Sequence, residues 1–485
     1  MDPTVDNGNE FFYRFRSIDA LLGDRNELEN QEIYFASPDH LNDPMVGFKD
    51  IFWSGDSIVW HNLIRHYLLC FMRKLSLVLI SGETYEAELS RNIVFSSSTN
   101  HPTPMFKNLY EEICTSFFSE PGILELPNLL AACRHQIRRE ELKFYLRMLH
   151  GVAVTCVCNS FKKHGLMPGP PVASQPTDIG NTIENLFRVL SDSVKDHKDQ
   201  ERKSIGILFQ VADHVNKSFG LRRYFEAGEK REKIWQTAIT DFPDEYVTSL
   251  DNLVFVNWYA ACFVSDPNQA AMWGNYGDGH KGACLKFRSS QNINGSPCLS
   301  LHRVMGWSAG PKGSQKNYGD AKHEFLKMDY VDRFIEVDFF RSIGRITMPA
   351  LNADWYMGVN GQKSSCYDNL FQREEEWRKE YWERFQATIS AKFLDWKHES
   401  EYRLVLYSML EGFEDPVDRK VVYNFADLEG IIFGLKTSID DKKRIVDIVK
   451  KKCLEQKRTT FDFGQAFYSV ESGKIEVLKQ NLLNL

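Results

Sequence analysis

The chain has 485 residues, a formal net charge of −7 and 43% hydrophobic residues. That balance supports a large core, excludes wholesale disorder, and gives no global positive field to gather nucleic acid. Ten cysteines without a Cys-x-x-Cys, and with Cys156-Val-Cys158 as the one close pair, argue for reduced, buried thiols over a zinc site or a disulfide framework.

The opening Met1 to Glu10 is polar and acidic, unlike a secretory leader, so a cytoplasmic protein is expected. Phe11-Phe-Tyr-Arg14-Phe-Arg16 alternates like a strand and puts Arg14 and Arg16 on the side of Phe12. Ile18 to Asn30 has helical spacing, Glu32-Ile-Tyr-Phe-Ala36 is β-prone, and Ser37 to Pro44 is a turn-rich loop.

Helical periods dominate from 57 to 245, in runs at 57–80, 105–118, 126–162, 181–195 and 201–238. The run from Ile58 to Ile80 carries His61, Arg65, His66, Arg73 and Lys74, which makes it a core or interface helix and not a membrane span. Leu166 to Pro176 is a helix-breaking linker. Basic clusters at Arg134–Arg147 and Arg222–Lys233 are interspersed with Glu, as on solvated helix faces.

Mixed α and β character returns at 251. Leu253–Val264, Ala283–Phe287, Glu336–Phe340 and Leu428–Gly434 read as strands. Tyr367–Phe393 reads as a charged helix. Ser438–Glu455 is a helix with acidic start and basic end, matching its dipole. The predicted architecture is α+β: a split mixed sheet from 11–50 and 251–450, a helical insertion at 57–245, and a surface tail at 456–485.

The most informative stretch is Lys397-His-Glu399-Ser-Glu401-Tyr-Arg403. As a strand it places Glu399, Glu401 and Arg403 on one face. Adjacent carboxylates push their pKa values apart, which suits one group to polarise a substrate and the other to move a proton. A solvated strand face carries the same pattern.

Trp273-Gly-Asn-Tyr276 beside Gly279 and Gly282 can wall a planar ring, or be core below a turn. Gly277-Asp-Gly279-His-Lys-Gly282 formally matches G-x-G-x-x-G, but a β-prone segment follows where a dinucleotide site needs a helix, so a tight loop feeding a strand is expected. Arg14 and Arg16 can pair with phosphate. Asn42 before Asp43-Pro44 can orient a ligand hydroxyl. No Walker-type phosphate loop and no zincin motif occur.

The order of these pieces resembles a bacterial family catalogued as domain of unknown function 2971. The resemblance rests on Tyr13-Arg-Phe-Arg16, Ile33-Tyr-Phe-Ala-Ser-Pro38, Leu41-Asn-Asp-Pro44, Ala261-Cys-Phe-Val-Ser265, Met272-Trp-Gly-Asn-Tyr276 and Gly282–Phe287. Met328-Asp-Tyr330, Lys392, Trp396-Lys-His-Glu-Ser-Glu401-Tyr-Arg403 and Ile431-Ile-Phe-Gly434 complete it. It implies a cytoplasmic bacterial protein with a role in phage defence or toxin-like activity.

A second resemblance is to ADP-ribosyltransferases, which place an Arg or His on a first strand, a Ser or Tyr in the middle and a Glu-x-Glu late. It implies NAD as substrate, with Glu401 stabilising the developing sugar cation and Glu399 orienting or deprotonating the acceptor. Arg14 or Arg16 would hold the pyrophosphate, Tyr276 or Trp273 would stack on nicotinamide, and Asn42 and Arg403 would complete the nucleotide set. The acceptor would be a protein or nucleic acid, and a protein partner could dock on 57–245. Two alternatives stay open: a binding or sensing module without chemistry, and a nuclease holding metal through Asp43, Glu399 and Glu401.

Overall fold

In the computed structural model the described residues are 10–82, 92–170, 179–194, 198–226, 234–235, 238–310, 313–409 and 412–481. Most of Met1–Glu10, part of the 166–176 linker, and Lys230, Arg231 and Lys233 of the second basic cluster lie outside them. The chain is α+β with mixed sheets and divides into two compact units, one of 1–48, 257–334 and 386–485, the other of 49–256 and 335–385. Residues 335–385 therefore group with the helical segment and not with the flanking α+β segments.

The first unit is built on an eight-stranded sheet. Its spatial order is Leu326–Lys327, Glu401–Tyr407, Trp258–Val264, Phe11–Arg16, Ala283–Arg288, Leu428–Phe433, Asp462–Ser469 and Lys474–Lys479. All neighbours run antiparallel except Leu428–Phe433 beside Asp462–Ser469. The expected surface tail thus supplies two strands of the main sheet. Its buried apolar positions (Phe463 on one face, Ala466 and Ile475 on the other) are few and diluted by polar residues, which hides them from a periodicity reading.

Alternation gives the sheet two apolar faces. Phe12, Ala261, Phe263, Leu285, Phe287, Leu404 and Ile431 enter one large core with the helix Ile439–Glu455. Phe15, Val264, Cys284, Ile432 and Ala466 enter a smaller one around Met272 and Trp273. Ser438 starts the long helix by accepting from the Asp441 amide.

A second sheet contains Glu32–Tyr34, Lys420–Tyr423 and a long hairpin, Pro297–Gly310 against Gly313–Glu324, that periodicity does not reveal. Its outer part is exposed on both faces, so no apolar stripe marks it. Gly306-Trp-Ser-Ala-Gly310 has the spacing of a nucleophile elbow, yet lies along this hairpin and not at a strand-to-helix turn, so Ser308 has no such role.

One junction of the main sheet matters most. Phe11–Arg16 shares six paired positions with Ala283–Arg288 on one side. On the other side it shares a single pair with Trp258–Val264, Tyr13 opposite Val264. Beyond that pair a cleft lies between the two strands, lined by both.

The second unit packs the helices Ser57–Ser81, Pro104–Phe118, Leu126–Cys133, Arg139–Lys163 and Phe242–Ser249 around Trp60, Tyr67, Phe71, Tyr145, Phe242 and Tyr246. Ser57–Ser81 is capped by Asp56, whose carboxylate accepts from Ile58 and Val59 amides. The expected run 126–162 is two helices, separated by the bridge-forming Ile137–Arg138. That short strand joins Asp50–Trp53 and Glu336–Asp338 in a three-stranded sheet. Among the described residues no helix is long and apolar enough to cross a membrane.

Candidate functional site

The cleft between the parted strands has a volume of about 630 Å³. Arg14, Arg16, Asn42, Tyr276, Glu399 and Glu401 all line it, with Arg25 and His40. Segments remote in sequence therefore converge on one concavity, within the size range of small-molecule sites.

Arg14 is buried where the sheet parts. Its guanidinium donates to the Cys262 carbonyl at 3.3 Å and the Tyr34 carbonyl at 3.0 Å, while its Nε has no acceptor among the described residues. Burial, then the neighbouring Arg16, lowers its pKa to about 10, so it stays cationic at neutral pH. Both acceptors are backbone carbonyls, which leaves its charge uncompensated by direct contact. Arg16 differs: Glu27 takes its guanidinium in a two-point contact, with Nε at 2.8 Å from a carboxylate oxygen. Exposed Arg25, which has no ion pair among the described residues, adds a second cation. The basic side of the cleft thus suits an anion.

The acidic side departs from the strand expectation. Glu399 ends a 3-10 helix, Leu394–Glu399, and Ser400 turns left-handed at φ 47° before the strand begins at Glu401. That left-handed residue breaks the alternation. Glu401 and Arg403 do share a strand face; Glu399 does not belong to it. Lys392 nevertheless joins the two carboxylates, donating to Glu399 and, at 2.6 Å, to Glu401. Arg403 donates to Glu401 at 2.7 and 3.3 Å and to the Ile389 carbonyl at 3.2 Å. Arg403 lies behind Glu401 and does not line the cleft, contrary to its expected place at the nucleotide.

These four side chains are 1–2% exposed. Two carboxylates face two cations, so the group is neutral overall. Burial opposes the Glu401 charge, but Arg403 and then Lys392 outweigh it and push that carboxyl down to about 2. Burial likewise works against Lys392, and Glu401 and Glu399 overcome it, so its pKa rises. The Tyr330 hydroxyl, on Asp329–Val331 paired with Ala391–Phe393, accepts from the Glu401 amide at 2.9 Å and fixes the start of the strand.

Tyr276 closes the chain of contacts. Its hydroxyl donates to Glu399 at 2.8 Å and accepts from the exposed Asn42 amide. Burial and then Glu399 hold it well above its ordinary pKa, so it stays a neutral donor. Asn42 therefore orients Tyr276, and Tyr276 covers Glu399. Trp273 does not wall the cleft. It is fully buried, with its indole N–H on the Pro267 carbonyl at 2.8 Å and Phe15 edge-on at 4.8 Å. A large apolar ring beside a polar loop satisfies its one donor and fills core.

The glycine-rich loop places the basic strand. Asp278, Gly279 and His280 are all left-handed. A Cβ on Gly282 would stand 2.2 Å from the Arg16 carbonyl oxygen, so only glycine lets the loop meet the end of the first strand. Sequence reasoning did not assign Lys392, Tyr330, Cys262 or Arg25 to the site; the first three stood among the residues of the family resemblance, with no role attached to them. Among the described residues no group of three or more His, Cys, Asp or Glu can hold a metal ion, so Asp43, Glu399 and Glu401 do not form the metal centre of the nuclease alternative.

A scan against models of known protein families, a search of curated proteins and a search of solved structures each return no match.

Proposed function

We propose that the cleft binds NAD and breaks its nicotinamide–ribose bond, passing ADP-ribose to a macromolecular acceptor or to water, as a cytoplasmic bacterial effector. The observation that carries this reading is the meeting of a buried, uncompensated Arg14 with Glu399 and Glu401 in one cleft. Arg14, aided by Arg25 at the rim, takes the pyrophosphate, because guanidinium donors match phosphate oxygens and desolvation strengthens the contact.

In the reaction the C–N bond breaks with its electron pair going to nicotinamide, whose ring nitrogen becomes neutral. The ribose carbon is left with oxocarbenium character. Glu401, ionised at any working pH, is preorganised to stabilise that charge. The acceptor forms the new bond and loses its proton to Glu399, once Tyr276 has moved its hydroxyl aside. The test is release of nicotinamide from NAD by the purified chain. Wild type releases it, and folded Glu401→Gln loses activity by about a hundredfold or more. Equal rates in the two proteins would overturn the assignment.

A second reading is supported by the mutual neutralisation of the four charges at 1–2% exposure. The cleft would then recognise a nucleotide without chemistry. Saturable NAD binding with no nicotinamide release from wild type would select it.

A further inference from the structure

The second unit holds a separate cavity of about 240 Å³, below the roughly 300–1,000 Å³ of drug-sized pockets. One wall is a single face of the helix Ser57–Ser81: Asn62, Arg65, His66 and Leu69, at i, i+3, i+4 and i+7. Opposite lies the π-helical turn Asn352–Tyr356, which contributes Asp354. Such wide turns recur at functional sites. A helix face opposite a helical turn would ordinarily be filled with apolar side chains; this one carries a cation, an amide and an imidazole.

The polar groups are held in place. Asn62 donates to the Trp355 and Met357 carbonyls at 3.0 and 2.9 Å, tying the helix to the π turn. Asp354 accepts from the Ser98 amide at 3.0 Å and from the Ser98 hydroxyl, both on Oδ1. Its Oδ2 has no protein donor among the described residues. Arg65 lies over the Tyr110 ring at 5.5 Å, and among the described residues no carboxylate pairs with it. His66 bonds to the Tyr246 hydroxyl at 2.8 Å and burial lowers its pKa to about 4, so it adds no charge at neutral pH.

The cavity therefore presents one cation and one anion that do not pair with each other, although the Asp354 charge reaches Arg65. Opposite charges facing one small space without closing on each other match a ligand that carries both signs. We propose that this cavity binds a small zwitterion of the free amino-acid class, its carboxylate on Arg65 and its ammonium on Asp354. Asn62 and Tyr110 line the same space and bound the ligand's size. The site is independent of the NAD reading.

The test is calorimetric titration of the full chain with each standard free amino acid, its N-acetyl derivative and its methyl ester. At least one free amino acid binds, and both derivatives, each lacking one charge, bind about tenfold or more weakly. Arg65→Gln and Asp354→Asn weaken the free amino acid by a similar factor, and Arg65→Lys restores part of it. No binding of any amino acid at millimolar concentration overturns the proposal, as does equal binding of the derivatives. The derivative arm uses the unaltered protein, so a misfolded variant leaves the test intact.

Discussion

Replacing Arg403 by Met would isolate what holds the carboxylate pair. Arg403 is 1% exposed and makes two contacts to Glu401 and one to the Ile389 carbonyl. The Glu401 carboxyl falls from 4.5 to about 2 in the folded chain, a shift of about 2.5 that corresponds to about 3 kcal/mol of linked stability. Arg403 is the leading favourable cause. Its removal forfeits most of this term and leaves the Ile389 carbonyl short of a donor, for a loss of about 3–4 kcal/mol. Because the folded pKa is depressed, that stability is present above pH 4.5 and lost as pH falls through about 2. Hydrogen exchange of the Glu401–Tyr407 amides reads it. At pH 7 they exchange on the order of a hundredfold faster in Arg403→Met than in wild type, provided opening of the strand limits exchange. The difference shrinks as pH is lowered from 4.5 toward 2. Equal protection of the strand at pH 7 would refute the reasoning, since a buried carboxylate that loses its main partner must cost the fold something.

Trp273→Phe lowers the melting temperature, by the loss of ring volume and of the bond to Pro267, about 1–3 kcal/mol; the KM for NAD is unchanged, and a raised KM would return the indole to the cleft wall. Gly282→Ala sets a Cβ against the Arg16 carbonyl oxygen at 2.2 Å and destabilises the chain by roughly 1–3 kcal/mol, seen as a lower melting temperature together with weaker NAD binding in titration, because the displaced strand Phe11–Arg16 carries Arg14.

Local rules carried much of the fold. Alternation at Phe11–Arg16 and the β-prone runs Ala283–Phe287 and Leu428–Gly434 marked three adjacent strands. The Ser438 cap and charge polarity marked the long late helix. They failed where context overrides pattern. Asp462–Ser469 and Lys474–Lys479 read as a tail because polar residues dilute their apolar positions. The hairpin 297–324 has no buried face over its outer half, so it leaves no period.

The candidate site divides along the same line. Residue chemistry alone singled out Arg14, Arg16, Tyr276, Glu399 and Glu401, since guanidinium, phenol and paired carboxylates are uncommon beside apolar strands. What each one does was decided in three dimensions. Glu27 neutralises Arg16 and leaves Arg14 as the buried cation. A left-handed Ser400 removes Glu399 from its strand, and Lys392 brings it back to Glu401. Trp273 turns inward while Tyr276 faces the cleft. Spacing along a chain reports only which side of one element a group occupies. Whether a charge is cancelled depends on what the fold brings within a few ångströms of it, and at short range in a dry site that contact outweighs every local preference.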